Sequence, residues 1–278
     1  MSWSKIKTIL ILLFLFVDFF LLFNMYFKTG LGGEVSQQTV NETVAILKNA
    51  GITVNPEIVS RKMLSMKKPE ISNSLDNRQI LAENLIGKSK PLENVYENEK
   101  GKITFNAVAF SFENYDKTAV ISDIRESNAI ECASGYLNDR GFDVQTDAVR
   151  DFTSGENGYY IKFGKEIDGY PLYESYLDIY IKPSGTLDKI NGYWPEVYDH
   201  QSSSTVCVDS TKVLINLLSA EGITNNEIVD IQTGYTLGAS PENDSPILLT
   251  LLPAYRIIFK TGENYIFDAT GGGFLYKY

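Results

Sequence analysis

Few side chains in this chain of 278 residues are of types that do chemistry: one histidine, His200, beside a run of three serines from Ser202 to Ser204; two cysteines; a Gly271-Gly272-Gly273 run; and many carboxylates. Acyl transfer would need a positioned nucleophile, a base and oxyanion donors, and no G-x-S-x-G elbow accompanies His200, so that stretch reads as a solvated linker. The glycine run lacks the G-x-x-x-x-G-K pattern and precedes a strand, which makes it a turn and not a phosphate cradle. With one histidine and the distant Cys132 and Cys207, a zinc site would have to be mostly carboxylate, so no metal or other cofactor is expected. The two cysteines allow at most one disulfide, and with no Cys-rich framework around them the favoured reading is two separate buried thiols. Glu166, Asp168 and Asp178 are carboxylates of the kind that hydrolyse glycosides in pairs, which keeps a wall hydrolase among the alternatives.

Asp18 stands apart because of where it lies. Residues 9–27 are almost continuously apolar, with Asp18 at the centre and Lys5 and Lys7 before them. About 20 apolar helical residues span a bilayer, against 7–15 in the core of a cleavable signal peptide. An Asp at mid-helix costs about 2.5–3.5 kcal/mol on insertion, while each Leu, Ile, Phe or Val returns roughly 0.3–0.6, so the sum favours spanning. No A-x-A-like cleavage pattern follows; Gly30, Leu31 and Gly32 come nearest. Trp3 and Tyr26 sit where interfacial aromatics belong, and the lysines before the span outnumber Lys28 after it, which predicts a cytoplasmic amino terminus and an extracellular remainder. A membrane carboxylate usually faces a protein partner or a wet cavity. Helical geometry places Phe14, Leu15, Leu21, Leu22 and Met25 on the face of Asp18, with Asn24 about 120° away, so this stripe is the expected contact for a second helix; the alternative is an Asp that snorkels or is protonated in a monomer.

Three of the 25 basic and one of the 35 acidic residues lie at or before residue 28, leaving 22 against 34 and a balance near −12 for the outer part. Such a charge argues against nucleic acid as a partner and against basic docking on anionic lipid.

Three helix endings share the spacing Leu, three residues, Gly, apolar: Leu47 to Gly51 and Ile52, Leu137 to Gly141 and Phe142, Leu218 to Gly222 and Ile223. Apolar residues at helical spacing precede each (Val40, Val44, Leu47; Ile130, Ala133, Leu137; Val213, Leu214, Leu217), and glycine suits a left-handed helix end. Strands are expected at 102–112, 159–167, 172–181, 187–194, 228–237, 247–259, 265–269 and 274–278. Asp168-Gly169, Pro183 to Gly185, Thr261 to Asn264 and the glycine run serve as turns. In 172–181, Tyr173, Ser175, Leu177, Ile179 and Ile181 alternate with more polar residues, which predicts one covered face. A helix near 37–49 and a short one at 76–85 complete the set, and 151–158 and 239–245 read as exposed loops. The fold class is therefore α+β: a cytoplasmic tail (1–8), one transmembrane helix (9–27), and two to three modules of a helix on an antiparallel sheet, at 28–120, 121–200 and 205–278.

Trp3, Lys5, Lys7, Thr8 and Ile9, leading into Phe14, Leu15, Asp18, Phe20 and Leu21, resemble the W-x-K-x-K-T-I and F-L-x-x-N-x-F-L patterns of the YycI family, with Asp18 where that family commonly carries Asn. The strand from Pro253 to Ile257 and the stretch from Tyr265 to Gly271 look like the family's carboxyl-terminal module, reminiscent of PepSY-type and YycH-like units. The resemblance implies a non-enzymatic regulator. With a YycH-like protein it would contact a sensor histidine kinase of the YycG (WalK) type through membrane helices and outer domains, adjusting control of cell-wall metabolism. The competing expectation is a PepSY-like binding or inhibitory module for an extracellular protease or wall polymer, in which the helix is only a tether.

Overall fold

A computed structural model describes residues 7, 11–20, 33–72, 75–106, 109–117, 121–198, 204–220, 223, 226–237 and 248–278. Residues 11–20 form a helix, α1. The chain continues through α2 (Gln37–Asn49), β1 (Ile52–Val54), β2 (Ser65–Met66), β3 (Glu70–Ser72), α3 (Leu75–Ile86), β4 (Pro91–Leu92), β5 (Val95–Asn98), β6 (Gly101–Asn106) and β7 (Ala109–Asn114). Then come α4 (Ala129–Asn138), β8 (Val149–Gly155), β9 (Gly158–Ile167), β10 (Tyr170–Ile181), β11 (Leu187–Tyr193) and β12 (Glu196–Tyr198). Last are β13 (Thr205–Val206), α5 (Ser210–Leu217), β14 (Asn226–Thr236), β15 (Leu248–Thr250), β16 (Leu252–Phe259), β17 (Asn264–Asp268) and β18 (Phe274–Lys277). The class is mixed α+β, with few helices on a large, mainly antiparallel sheet.

The helix boundaries follow from local chemistry. Ser36 caps α2 by accepting from the Thr39 backbone N–H at 3.1 Å, and Asp209 does the same for α5 through Lys212 N–H at 3.1 Å. At the end of α4 the Gly141 N–H donates to Asn138 O (2.9 Å) and the Phe142 N–H to Leu137 O (3.1 Å), with Gly141 at φ +77° and Phe142 buried behind it. That paired arrangement is a Schellman ending, and glycine is what tolerates the left-handed backbone. Gly51 after α2 has φ +83°; Gly222, expected to close α5, lies outside the described residues.

Among the described residues 13 strands share one sheet, with the path β18-β17-β16-β14-β10-β11-β7-β6-β5-β4; β8 and β9 extend from β10, and β1 adds to β14 in parallel. The Asp168-Gly169 turn carries positive φ at both residues (+52° and +78°), the hairpin geometry whose twist matches its strands. Three strand expectations need correction. The 102–112 segment is two strands, β6 and β7, paired Phe105 to Phe110 and Asn106 to Ala109; no Gly or Pro marks the turn between them. The 247–259 segment divides into β15, which pairs with β3, and β16, which pairs with β14, because the buried Leu251 between them turns its N–H to Pro69 O. The stretch 151–158, expected as a loop, is mostly strand β8, which turns into β9 across Glu156-Asn157 with Gly155 opposite Gly158. The other expected loop, 239–245, lies outside the described residues.

The alternation in β10 also breaks. Its pairing with β9 shifts register between Leu172 and Leu177. Leu177, Ile179 and Ile181 face the core shared with α4, as expected, while Tyr173 packs instead with Ala254 and Ile266 in a separate cluster. A period-2 pattern carries across such a shift in the sequence but not in space.

Two large apolar clusters result. One joins Val40 and Leu47 of α2, Ile52 and Val54 of β1, Met66 and Ile71 to Val213, Leu214 and Leu217 of α5 and to Tyr235, Ile257 and Phe267 of the last strands. The other joins Ala82 and Ile86 of α3, Ile103 and Phe112 to Ala133 and Leu137 of α4 and to Phe163, Leu177 and Ile190. The side chains of 28–120 are thus shared between two cores. A three-residue β1 cannot form a sheet of its own and completes the edge of β14.

Candidate functional site

Asp18 and Phe14 lie on α1. Every described side chain of residues 11–20 is exposed, including Phe14 at 60% and Phe16 at 72%. The helix carries apolar residues all round, with Asp18 as the charged exception, and a helix hydrophobic on every side belongs in an apolar surrounding and not in water. Its ten residues measure about 15 Å by helical rise. Among the described residues no helix is long and apolar enough to cross a membrane. Leu21, Leu22, Asn24 and Met25, the rest of the expected contact face, lie outside the described residues, as do Trp3, Lys5, Tyr26 and Lys28.

The remaining chemistry-bearing residues are dispersed. His200 is outside the described residues. Cys132 and Cys207 are both free thiols that pack on different cores, and burial pushes the Cys207 thiol up to about 11. Gly271 to Gly273 form the turn into β18, where Asp268 accepts from the Thr270 and Gly271 N–H groups. Asp168 pairs with Lys67 at 3.5 Å in the β9–β10 turn, whereas Asp178 takes Tyr160 Oη (3.1 Å) and Lys162 Nζ (3.8 Å) on the outer sheet face. Burial, and after it the Asp178 carboxylate, raises the Tyr160 phenol. Among the described residues no group of three or more His, Cys, Asp or Glu is placed to hold a metal.

A cleft of about 440 Å³ opens where the two cores adjoin. α3 contributes Ile80 and Asn84, the β6–β7 hairpin Phe105 and Phe110, the loop after α4 Arg140 and Phe142, β9 Lys165, and the end of β11 Tyr193 and Trp194. The Schellman turn holds Phe142, whose ring stacks on Phe110 with centroids 6.1 Å apart and whose carbonyl accepts from Trp194 Nε1. That hydrogen bond fixes the indole, and Lys165 Nζ lies 4.9 Å from its centroid. The Lys165 backbone N–H is anchored on Ser175 Oγ at 2.8 Å. Burial lowers the Lys165 pKa, opposed by the charges of Asp143 and Glu196. Among the described residues the ammonium has no ion pair or hydrogen-bond acceptor. Arg140 lies over the Tyr136 ring at 3.5 Å and donates to Tyr136 O, and Arg78 lies over Phe105 at 5.6 Å and donates to Asn94. Sequence reasoning placed Phe142 only as part of a helix ending and missed the rest of this constellation, because its members come from five distant segments.

No protein-family model and no curated protein sequence matches the chain. Among solved structures it is similar to an uncharacterized protein from Eubacterium rectale ATCC 33656, with TM-score 0.50 and 11% identity over 87% of this chain and 98% of that one. It is also similar to the C-terminal domain of Bacillus megaterium YpeB, with TM-score 0.38 and 10% identity over 74% of this chain and 97% of that one. The first likeness is one of fold alone, and nothing rests on the second.

Proposed function

We propose that the chain is a non-enzymatic regulator held on the outer face of the cell membrane by its amino-terminal helix, where it contacts a sensor histidine kinase of the YycG type that governs cell-wall metabolism, together with a YycH-like protein. The observation that carries the reading is α1: a helix whose described apolar side chains are all exposed, with one carboxylate among them. In lipid that exposure is the stable arrangement, and Asp18 supplies the polar group that a partner helix satisfies. The two helix-on-sheet cores are the outer domains, read in finer terms as PepSY-like and YycH-like units. The resemblance of the amino-terminal residues to the YycI family names the partners.

Interhelical hydrogen bonds in membranes contribute about 0.6 to 2 kcal/mol, so the outer domains must add most of the affinity. The regulator biases the kinase only through contacts that differ between the kinase's two states. Replacing Asp18 by Leu is expected to reduce co-purification of the kinase and change a wall-regulon reporter, with the outer domains still folded. Unchanged recovery and unchanged reporter output would remove the role given to Asp18. A heterologous anchor that preserved full function would favour the tethered binding module instead.

A further inference from the structure

We propose that the cleft between the two cores binds a carboxylate carried on an apolar or aromatic body, with Lys165 Nζ as its counter-ion and the rings of Trp194, Phe142 and Phe110 as its wall. This site is separate from the membrane contact of Asp18 and stands or falls without it. The volume, about 440 Å³, falls in the range of roughly 300–1,000 Å³ typical of small-ligand pockets. A half-buried ammonium with a ring beside it and no oxygen acceptor among the described residues is the group that an incoming anion would complete. The neighbouring cations are engaged already, Arg140 with Tyr136 and Arg78 with Asn94, which leaves Lys165 as the receptor.

The charges around the cleft bear on the charge of the ligand. Glu166, Asp143 and Glu196 line the cleft together with Arg78, Arg140 and Lys165, so the formal charges of these side chains balance, and among the described residues Lys165 Nζ is the one of the three cations with no oxygen acceptor. A singly charged carboxylate is the anion that one such ammonium pairs with. The carboxylate has two sources, the free end of a peptide with an apolar last residue or a small aryl acid. The two share this chemistry and differ in length.

The test uses the full chain in detergent, with Trp3→Phe leaving Trp194 as its sole indole. N-acetylphenylalanine and a neutral, acetylated pentapeptide ending in free phenylalanine are titrated against Trp194 fluorescence, each beside its carboxamide. The expected result is a saturable change with the acids, weakened roughly tenfold or more for the carboxamides and in Lys165→Gln. A pentapeptide that binds more tightly than the small acid identifies a chain terminus as the ligand, and equal affinity identifies the small acid. Absence of saturation with both acids, equal affinity of acid and amide, or full acid affinity in Lys165→Gln overturns the proposal. Should Lys165→Gln fail to fold, Asn84→Phe fills the cleft from an exposed position of α3 without adding an indole, and unchanged acid binding in that variant overturns it equally.

Discussion

Arg150 occupies the space that a side chain at Gly164 would need: a Cβ there would sit 2.0 Å from Arg150 Nε. The guanidinium is pinned in that space by donation to Leu172 O (2.7 Å), Tyr173 O (3.0 Å) and Ser175 O (2.7 Å), along the stretch where β10 shifts register; Leu172 O also accepts from Ser175 Oγ (2.8 Å). Leu172 is also the residue at which β10 meets Tyr235 of β14, so this one side chain braces the seam between the two halves of the sheet. Burial and the nearby charge of Arg256 both lower the Arg150 pKa, yet guanidinium stays protonated.

Replacing Arg150 by Met should therefore lower unfolding free energy by about 3 kcal/mol, since three carbonyls lose a charged donor. Gly164→Ala should destabilise comparably by ejecting the guanidinium, and the double variant should lose much less than the sum of the two. Denaturant midpoints of the four proteins measure this; strict additivity would show that the two residues act independently.

Gly141 should resist substitution for a different reason. At φ +77° an Ala there suffers about 1–2 kcal/mol of backbone strain, and its Cβ would meet Asn84 Nδ2 at 3.0 Å. Thermal denaturation should show the loss, whereas Gly135→Ala, inside α4 with no atom within reach of a new Cβ, should be neutral or stabilising.

The cysteines should remain two thiols. Under non-reducing conditions the mass should show no disulfide, and native alkylation should modify the half-buried Cys132 well before Cys207. Because the folded Cys207 pKa is raised from 9.0 to about 11, its contribution to stability is complete below pH 9 and is lost as pH rises toward 11. Cys207→Ala should flatten that part of the stability profile.

How far the sequence was legible depended on the range of the interactions involved. The helix at 37–49 coincides with α2, and the hairpin turn at Asp168-Gly169 carries its own geometry in its residues. Both are decided within a few residues of chain. The Asn157-Gly158 pair was equally local but lay inside a polar stretch that suggested a loop, and β8 was missed there. The register shift in β10 depends on Arg150, some twenty residues upstream, and so leaves no periodic trace. The sharing of 28–120 between two cores is set by partners far along the chain, as when β1 joins β14 with Ile52 opposite Asn226. The cleft was illegible for the same reason: Lys165 and Trp194 look like ordinary strand residues until Phe142 places the indole.

The claim that α1 sits in the membrane against a partner helix predicts a directional contact. Phe14 is four residues from Asp18 and shares its face, whereas Phe16, two residues away, points to the other side. A photo-crosslinking residue at position 14 in the full chain, activated in living cells, should yield a covalent adduct with the sensor kinase or its YycH-like companion from the membrane fraction, and position 16 should yield little. Equal adducts from both positions, no adduct from either, or protein found free in the medium would contradict the account.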